Sequence, residues 1–288
     1  MKSVGWPAPA KLNLFLHVLG RRDDGYHELQ TVCQLIDLAD QLAFEPRQDS
    51  EIRRIEGLSA VPVDADLSVR AARRLQAAAG VRMGADIWLD KHIPIQGGLG
   101  GGSSDAATTL IALNELWHLD WAVERLAEVG RELGADVSLF LHGRSAWAEG
   151  IGERLTPVAL PPRYFAVIFP GVGASTAEIF QAPELTRNSP KTTIRGFLTA
   201  GGRNDCAPVA TGRYPEIARA LAWLAPRGEA RLTGTGSCVF AGFGDRAKAT
   251  AALADLPQAW SGFVARGLEQ SPLQGRLAAE RMSGDAQG

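Results

Sequence analysis

The stretch KHIPIQGGLGGGSSDAATTLIAL, residues 91–113, decides how the rest of this chain is interpreted. Five of the six residues from Gly97 to Gly102 are glycine, and two serines, an aspartate and good helix formers follow directly. Glycines permit positive φ and let backbone N–H groups approach an anion closely, at a cost in backbone entropy. A helix that begins near Ser103 adds unpaired amides and the positive end of its dipole. The stretch therefore predicts a phosphate-binding loop, and the alternative is a flexible surface loop that caps a helix.

The familiar phosphate-binding motifs do not match this loop. A Walker loop places Lys and then Ser or Thr directly after the second glycine of GxxxxG, whereas Ser103 and Ser104 follow Gly102 with no lysine. No window matches the dinucleotide-binding pattern GxGxxG or its protein-kinase form. The flanking context favours phosphate over the surface-loop alternative, because an apolar run precedes the glycines and a serine-led helix start follows them.

Length and composition exclude several classes of protein. The chain has 288 residues, which suggests two domains, and its 45% apolar and 22% charged residues are ordinary for a soluble protein. A net charge of −2 gives no electrostatic argument for nucleic acid or an anionic membrane as a partner. Three cysteines without CxxC spacing predict buried thiols rather than a metal cluster or a disulfide framework. The apolar runs fit neither a signal peptide nor a membrane span, so we expect a cytoplasmic enzyme.

The segments before the glycine loop predict a strand, a hairpin and a helix. Residues 10–19 alternate, with Lys11 and Asn13 on one face, which is typical of a half-buried strand. These two residues belong either to a solvated face or, beside the loop, to a site where the lysine neutralises phosphate. Residues 42–58 could form a hairpin, and residues 66–79 predict a helix capped by Asp66.

The segments after the loop raise one functional alternative and a domain boundary. Asp136 follows a helix-ending Gly-Ala pair, so it usually caps the next helix, but it could instead hold a substrate hydroxyl or a lysine near the phosphate site. A proline-rich break near Pro157 predicts an N-terminal lobe over residues 1–156 and a C-terminal lobe over residues 157–288. The second lobe alternates strands and helices, as in a small α+β sandwich, and the polar tail after about Leu277 is expected to fray.

Four ordered segments resemble the GHMP small-molecule kinase superfamily and, within it, the 4-diphosphocytidyl-2-C-methyl-D-erythritol kinase family. They are PAKLNLFLHVLGRRDDGYHEL (9–29), PIQGGLGGGSSDAA (94–107), GADVSLF (134–140) and LTGTGSCVF (232–240). The glycine-serine loop is diagnostic of the superfamily, and the LNLFL and GYHEL pieces point to this family. The similarity spans nearly the whole chain, from Pro7 to about Leu273.

The resemblance implies a fold, an activity and the partners of the chain. The fold is α+β with two lobes: an N-terminal lobe like the second domain of ribosomal protein S5 and a ferredoxin-like C-terminal lobe. The activity is ATP-dependent phosphorylation of the C2 hydroxyl of 4-diphosphocytidyl-2-C-methyl-D-erythritol, a step of the non-mevalonate route to isoprenoid precursors. Mg²⁺ would accompany ATP through ligands that the sequence leaves unknown. We expect a monomer or a weak homodimer.

The resemblance also assigns roles to residues. Lys11 and Asp136 would be the catalytic pair. The substrate-binding residues would be Asn13, Tyr26, His27, Thr176 and Phe180. The ATP-binding residues would be Pro94, Ile95, Gln96, Gly97, Gly98, Leu99, Gly100, Gly101, Gly102, Ser103, Ser104 and Asp66, and the Thr233–Ser237 loop would close on the site. Asp66 stands where the family has an asparagine, which removes an amide donor near the adenine.

The chemistry of the residues agrees with this assignment. Phosphoryl transfer depends mainly on positioning and electrostatic stabilisation. Asp136 could accept the proton of a hydroxyl, and Lys11 could keep that carboxylate ionised. Two alternatives stay open at this point. Another GHMP kinase, of homoserine or mevalonate type, has a substrate without a base for GYHEL to hold, and a non-catalytic nucleotide-binding module would not need both Lys11 and Asp136.

Overall fold

The structure is a computed structural model that describes residues 2–58 and 61–285. Its strands are β1 (Ser3–Arg21), β2 (His27–Arg47), β3 (Ile52–Glu56), β4 (Gly84–Asp90), β5 (Ala146–Gly150), β6 (Arg154–Pro157), β7 (Tyr164–Phe169), β8 (Arg231–Leu232), β9 (Val239–Phe243) and β10 (Ser261–Leu268). Its α-helices are α1 (Leu67–Ala79), α2 (Gly101–Leu116), α3 (Val123–Arg131), α4 (Val137–His142), α5 (Thr176–Gln181), α6 (Ile194–Ala200), α7 (Ala207–Arg213), α8 (Pro215–Leu224), α9 (Arg246–Ala251) and α10 (Pro272–Asp285).

Strand β2 organises the sheet. β1 runs antiparallel to it along its whole length, from Ser3 opposite Phe44 to Arg21 opposite His27. The other edge of β2 pairs in turn with β5, β10 and β4. β10 continues the sheet through β7 and β9 to β8, so strands of both halves of the chain belong to one hydrogen-bonded sheet. The lobe boundary at residue 157 stays a prediction.

Strand β1 is buried on both faces. The apolar positions Leu12, Leu16 and Val18 lie in the core as predicted, but Lys11 is 4% exposed and Phe15 1%. Phe15 is covered because its ring packs against Trp147 and Phe197 from later parts of the chain. The solvated-face interpretation of Lys11 and Asn13 is therefore wrong.

The segment after β2 forms a crossover rather than the predicted hairpin. β3 pairs in parallel with β4 and does not turn back on β2. Two parallel neighbours require a connection that crosses over the sheet, and α1 supplies it. The predicted limits of α1 are confirmed, since Asp66 accepts a hydrogen bond from the Ser68 amide at its start and Gly80 adopts the left-handed conformation at its end.

Helix α2 is the central helix of the first half. Its residues from Ser104 to Asn114 are all buried, and it packs on α1, α4 and β1. Because neighbouring elements pack against all faces of α2, the helix has little freedom to move. Its N-terminus therefore has a fixed position at the glycine loop.

The end of the chain differs from the expected frayed tail. Residues 272–285 form helix α10, which packs on β1. Leu273 is fully buried, the guanidinium of Arg276 lies 4.4 Å from the Trp6 ring centroid, and Glu280 accepts a hydrogen bond from Ser3. These contacts with the first strand order a segment whose polar composition alone predicted fraying.

Helix α7 was also not predicted. Among the described helices, none is both long and apolar enough to cross a membrane.

Candidate active site

A cleft of about 560 Å³ lies where the glycine loop, β1 and the second half of the chain meet. Its lining includes most of the predicted site residues. These are Lys11, Asn13, Asp66, Pro94, Ile95, Gln96, Gly97, Gly98, Leu99, Gly100, Gly101, Gly102, Ser103, Asp136, Thr176 and Phe180. The cleft thus collects residues from segments that are far apart in the sequence.

The glycine loop requires glycine at two central positions. Gly98 and Gly100 have φ of 74° and 73°, in the region that L-residues with a side chain rarely adopt. A Cβ on Gly98 would lie 2.3 Å from the carbonyl oxygen of Thr233, and one on Gly100 would lie 2.9 Å from the Phe140 ring. Gly100 is also the N-cap of α2 and brings no side chain to the helix amides. The first N–H groups of α2, which have no acceptor within the helix, are therefore available to an anion.

A second loop, residues 233–238, holds the glycine loop from the other side. The amide of Cys238 donates to the Gly97 carbonyl at 3.0 Å, and the amide of Ser237 donates to the Gln96 carbonyl at 3.2 Å. The hydroxyl of Thr233 donates to the Gly98 carbonyl at 3.2 Å. These bonds hold the glycine loop against residues 233–238 through three of its carbonyl oxygens.

Lys11 and Asp136 form an ion pair at the loop. Lys11 Nζ lies 3.3 Å from Asp136 Oδ2, and the lysine also donates to the side-chain oxygen of Asn13. The lysine side chain is 5% exposed, whereas the carboxylate of Asp136 is 36% exposed. Asp136 begins α4, but its side chain makes no capping hydrogen bond. Asp136 therefore occupies the predicted N-cap position without capping the helix through its side chain, and its partly exposed carboxylate lines the cleft.

Asn13 and Thr176 make hydrogen bonds that hold other polar groups of the cleft in place. The Asn13 amide donates to the Thr233 hydroxyl at 2.9 Å, and the Asn13 side chain donates to Thr31 Oγ1 at 2.9 Å. The hydroxyls of Thr176 and Thr235 lie 3.1 Å apart. These bonds fix the polar groups around the Lys11–Asp136 pair.

Three predicted site residues lie outside the cleft lining. Tyr26 is 60% exposed, and Ser104 is fully buried with a hydroxyl that bonds to none of the described residues. The ring of His27 stacks on that of Phe180, with centroids 5.1 Å apart and planes inclined by 27°. Burial lowers the pKa of His27, and the positive charges of Arg187 and Arg21 lower it further.

Asp66 is an anchor at the far end of the cleft. One carboxylate oxygen accepts the Ser68 amide at 2.9 Å, and the other lies 2.9 Å from Arg54 Nη1. Arg54 also donates to the Val61 carbonyl at 2.8 Å. A buried carboxylate needs a cation, and Arg54 supplies it, so this chain accommodates an aspartate where the family pattern has an amide.

A buried charge cluster under the loop was missed by the sequence analysis. Lys91 Nζ lies 2.5 Å from Asp40 Oδ2 and 2.7 Å from Asp105 Oδ2. Burial raises the pKa of Asp105 well above its usual value, and the nearby charge of Asp40 adds to this effect. Burial opposes the charge on Lys91, but the two carboxylates together raise its pKa. Asp105 directly follows the serines of the motif, so its position was the available signal.

The other titratable groups offer no metal cluster or reactive thiol. In the described ranges, no three His, Cys, Asp or Glu side chains are placed together to hold a metal ion. All three cysteines are buried as predicted, and burial raises the pKa of Cys33 and that of Cys206 to about 12.

Comparisons with known proteins identify the family of this chain. The sequence model of the GHMP kinases N terminal domain matches residues 66–144, and that of GHMP kinases C terminal matches residues 187–262. A 4-diphosphocytidyl-2-C-methyl-D-erythritol kinase of Alkalilimnicola ehrlichii is 56% identical over 98% of this chain and 97% of its own length.

Solved structures show the same similarity. A crystal structure of 4-(cytidine 5'-diphospho)-2C-methyl-D-erythritol kinase superposes with a TM-score of 0.79 at 35% identity, over 93% of this chain and 99% of that one. A homoserine kinase from Cytophaga hutchinsonii superposes with a TM-score of 0.64 at 16% identity, over 94% and 95% of the two chains. The second similarity concerns the fold alone.

Proposed function

We propose, since this chain belongs to the GHMP kinases and within them to the 4-diphosphocytidyl-2-C-methyl-D-erythritol kinase family, that it phosphorylates the C2 hydroxyl of 4-diphosphocytidyl-2-C-methyl-D-erythritol with ATP. The products are the 2-phosphate and ADP, in non-mevalonate isoprenoid precursor biosynthesis. The two-lobed α+β fold is that of the family. The observation that carries the proposal is the 3.3 Å contact of Lys11 with Asp136 beside the glycine loop.

The transfer assigns one task to each member of this pair. The C2 oxygen attacks the γ-phosphorus of ATP, its proton passes to the carboxylate of Asp136, and the bond from that phosphorus to the β,γ-bridging oxygen breaks to release ADP. A tertiary hydroxyl is a weak acid, so an ionised acceptor within hydrogen-bond reach lowers the barrier. Lys11 holds the Asp136 carboxylate at 3.3 Å and counters the charge of the moving phosphoryl group.

The loop supports the assignment of ATP as phosphoryl donor. Glycine at positions 98 and 100 lets the loop pack closely against Thr233 and Phe140 and lead directly into α2, whose first amides offer partial positive charge to phosphate. Mg²⁺ bound with the nucleotide would neutralise phosphate charge, and the cleft-lining hydroxyl of Ser103 would be a protein ligand for it. Oxygen ligands of this kind suit a hard cation.

The cytidine end of the substrate would lie at the opposite side of the cleft. Phe180 lines the cleft and stacks on His27, the exposed ring of Tyr26 precedes His27 in the chain, and Asn13 and Thr176 also line the cleft. Aromatic rings suit a planar base. Homoserine and mevalonate have no base, so these residues favour the cytidine-linked substrate over those of the related kinases.

A coupled assay of ADP release tests the proposal. The purified chain should release ADP with ATP and the cytidine-linked methylerythritol, and ³¹P NMR should show a new phosphomonoester on C2. Homoserine and mevalonate serve as control substrates. Kinases with a similar fold act on them, but neither compound contains a nucleobase. Equal or faster ADP release with either of them would contradict the proposed substrate, and absence of turnover with all three would favour a non-catalytic nucleotide-binding module.

Cytoplasmic location and a monomeric or weakly dimeric state stay predictions.

A further inference from the structure

Arg187, in the segment after α5, makes a set of hydrogen bonds that the proposed reaction does not use. Its Nε donates to His27 Nε2 at 3.1 Å. The rest of the guanidinium donates to backbone carbonyls at the end of α5 and just beyond it. These bonds are to Phe180 at 3.0 Å, Ala182 at 2.7 Å, Leu185 at 3.1 Å and Pro183 at 3.4 Å. One side chain therefore joins the start of β2 to the end of α5.

The bond from Arg187 determines which nitrogen of His27 carries the proton. Arginine has only donors and stays protonated, so the His27 Nε2 that receives its N–H must present a lone pair. The neutral imidazole then has its proton on Nδ1. The doubly protonated ring is disfavoured because burial and the charges of Arg187 and of Arg21 on β1 oppose it. Among the described residues none bonds to Nδ1, and the ring that carries it stacks on Phe180, which lines the cleft, so this N–H lies beside the proposed cytidine site without a protein partner.

Arg187 also fixes the ring on which His27 stacks. Phe180 lines the cleft, its carbonyl accepts from Arg187, and its ring lies 5.1 Å from that of His27. The same guanidinium thus sets the orientation of the imidazole, its tautomer and the position of its aromatic neighbour. A Lys at this position has no planar fork with which to make these bonds together.

We propose that Arg187 is a positioning residue that locks His27 as the Nδ1–H tautomer, and that this N–H selects cytosine over uracil. The inference rests on the proposed function for the presence of a cytidine group. Cytosine has an acceptor at N3, which an Nδ1–H can bond, whereas uracil carries a hydrogen at N3 and would oppose it. The opposite tautomer would reverse this preference, so the arginine sets the base specificity by both attraction and repulsion.

The tautomer is tested without substrate, by ¹⁵N NMR of the full chain labelled at its five histidines. Comparison with Arg187→Met and His27→Asn assigns the His27 signals. The wild-type ring should show a protonated Nδ1 and an unprotonated Nε2 at neutral pH, and Arg187→Met should shift the proton toward Nε2. Arg213→Met is the matched control, because Arg213 donates to the Glu178 carbonyl of the same helix without contacting His27. A wild-type His27 that carries its proton on Nε2, or a tautomer unchanged in Arg187→Met, would overturn the inference.

Base selection is tested by calorimetry with cytidine 5′-diphosphate and uridine 5′-diphosphate as probes. The wild type and Arg213→Met should bind the cytidine probe about tenfold or more tightly than the uridine probe, and Arg187→Met should lose about that factor. Arg187→Lys, which keeps the charge, should lose it as well and serves if the Met variant does not fold. If both Arg187 variants still preferred the cytidine probe over the uridine probe as strongly as the wild type, the proposed role of Arg187 would be wrong. The proposed kinase function would be unaffected by that result. A wild type that binds neither probe would overturn the cytidine site, while the NMR result would still report the tautomer.

Discussion

At position 136 an aspartate begins a helix without capping it, and its carboxylate instead lies 3.3 Å from a buried lysine. A carboxylate at the N-cap usually stabilises its helix by accepting a hydrogen bond from a backbone amide. Helix α4 lacks this bond and is less stable by that amount. The lysine pair and the 36% exposure of the carboxylate show what the residue does instead, since both suit a proton acceptor that faces a ligand.

Replacement of Asp136 by Asn is expected to lower kcat by a factor of about 10²–10⁴, because an amide cannot take the proton of the attacking hydroxyl. The change should leave ATP affinity and the melting temperature close to those of the wild type. The coupled ADP-release assay and thermal unfolding measure both. Asp255→Asn, at an exposed position with φ of 60° where Asn is well tolerated, is the matched control. Near-normal turnover of Asp136→Asn would remove this residue as the base.

Residue roles were predictable only in part. The alternation in β1 predicted the strand, but it left Lys11 open between a solvated face and a phosphate site, because what covers a strand face comes from other segments. Resemblance decided in favour of the phosphate site, and the burial of Lys11 agrees with it. Arg187 gave no signal in the sequence, since an arginine in a polar segment is ordinary and its five acceptors become neighbours only when the end of α5 packs against the start of β2.

At the scale of elements, the glycine loop and α2 act together. The loop was the most predictable element, because glycine runs followed by a helix start have few explanations. The hydrogen bonds that hold the loop in place were not predictable. They come from residues 233–238 and depend on the packing of the second half of the chain against the first. The hairpin expected at residues 42–58 failed for a similar reason. The local pattern predicted strands, but the choice of partner for β3 depends on the crossover through α1.

Replacement of Gly98 by Ala is expected to weaken ATP binding and to lower the free energy of unfolding by about 1–3 kcal/mol, because the residue is held at φ 74° and a backbone oxygen lies 2.3 Å from the new Cβ. Isothermal titration with ATP and urea unfolding measure the two effects. The matched control is Gly212→Ala in α7, where a Cβ meets nothing within 4 Å and where alanine should stabilise the helix by about 0.5–1 kcal/mol. Wild-type affinity and stability in Gly98→Ala would show that the loop adjusts freely.

The cluster of Lys91, Asp40 and Asp105 predicts a pH effect on stability. The folded-state pKa of Asp105 is raised by burial, so the folded chain holds a proton that the unfolded chain releases above its ordinary pKa of 3.8. The contribution of Asp105 to stability therefore falls as pH rises from that value to the raised pKa.

Asp105→Asn should remove this decline, because asparagine resembles the protonated acid and does not titrate. Urea unfolding of both proteins across pH 4–8 measures the slope. Asp86→Asn, which changes a partly buried carboxylate paired with Arg47 away from the Lys91 cluster, is the control and should keep the decline of stability with pH that the wild type shows. A steeper loss of stability with pH in Asp105→Asn than in the wild type would show that the acid is ionised when folded.

At the scale of the whole molecule, the two halves of the chain share one sheet through the pairing of β10 with β2. The sequence predicted two lobes from the proline-rich break, and length and resemblance agreed with that. It did not predict that β2 would pair with strands of both halves, because register between distant strands is set by tertiary packing. The same limit explains why polar α10 was expected to fray although β1 offers it Trp6 and Ser3.

The hydroxyl of Thr233 is the polar contact that connects both halves to the glycine loop. It is fully buried, accepts the Asn13 amide of β1 at 2.9 Å and donates to the Gly98 carbonyl at 3.2 Å. Valine has nearly the same shape but no hydroxyl, so Thr233→Val leaves a buried N–H and a carbonyl without their partner. The free energy of unfolding should fall by about 1–3 kcal/mol. The glycine loop should also lose its register with β1, which raises KM for ATP.

Two variants separate this role from a general effect of losing a threonine hydroxyl. Thr233→Ser keeps the bridge and should retain most of the stability and the ATP affinity. Thr250→Val removes a hydroxyl that bonds only to the Arg246 carbonyl of its own helix, and it should change neither quantity by more than about 0.5 kcal/mol. If Thr233→Val were as stable as Thr250→Val and bound ATP equally well, the two halves would be held in register by the sheet alone. A loss confined to ATP affinity would instead place the effect of the hydroxyl in the loop, with β2 and β10 maintaining the rest of the interface.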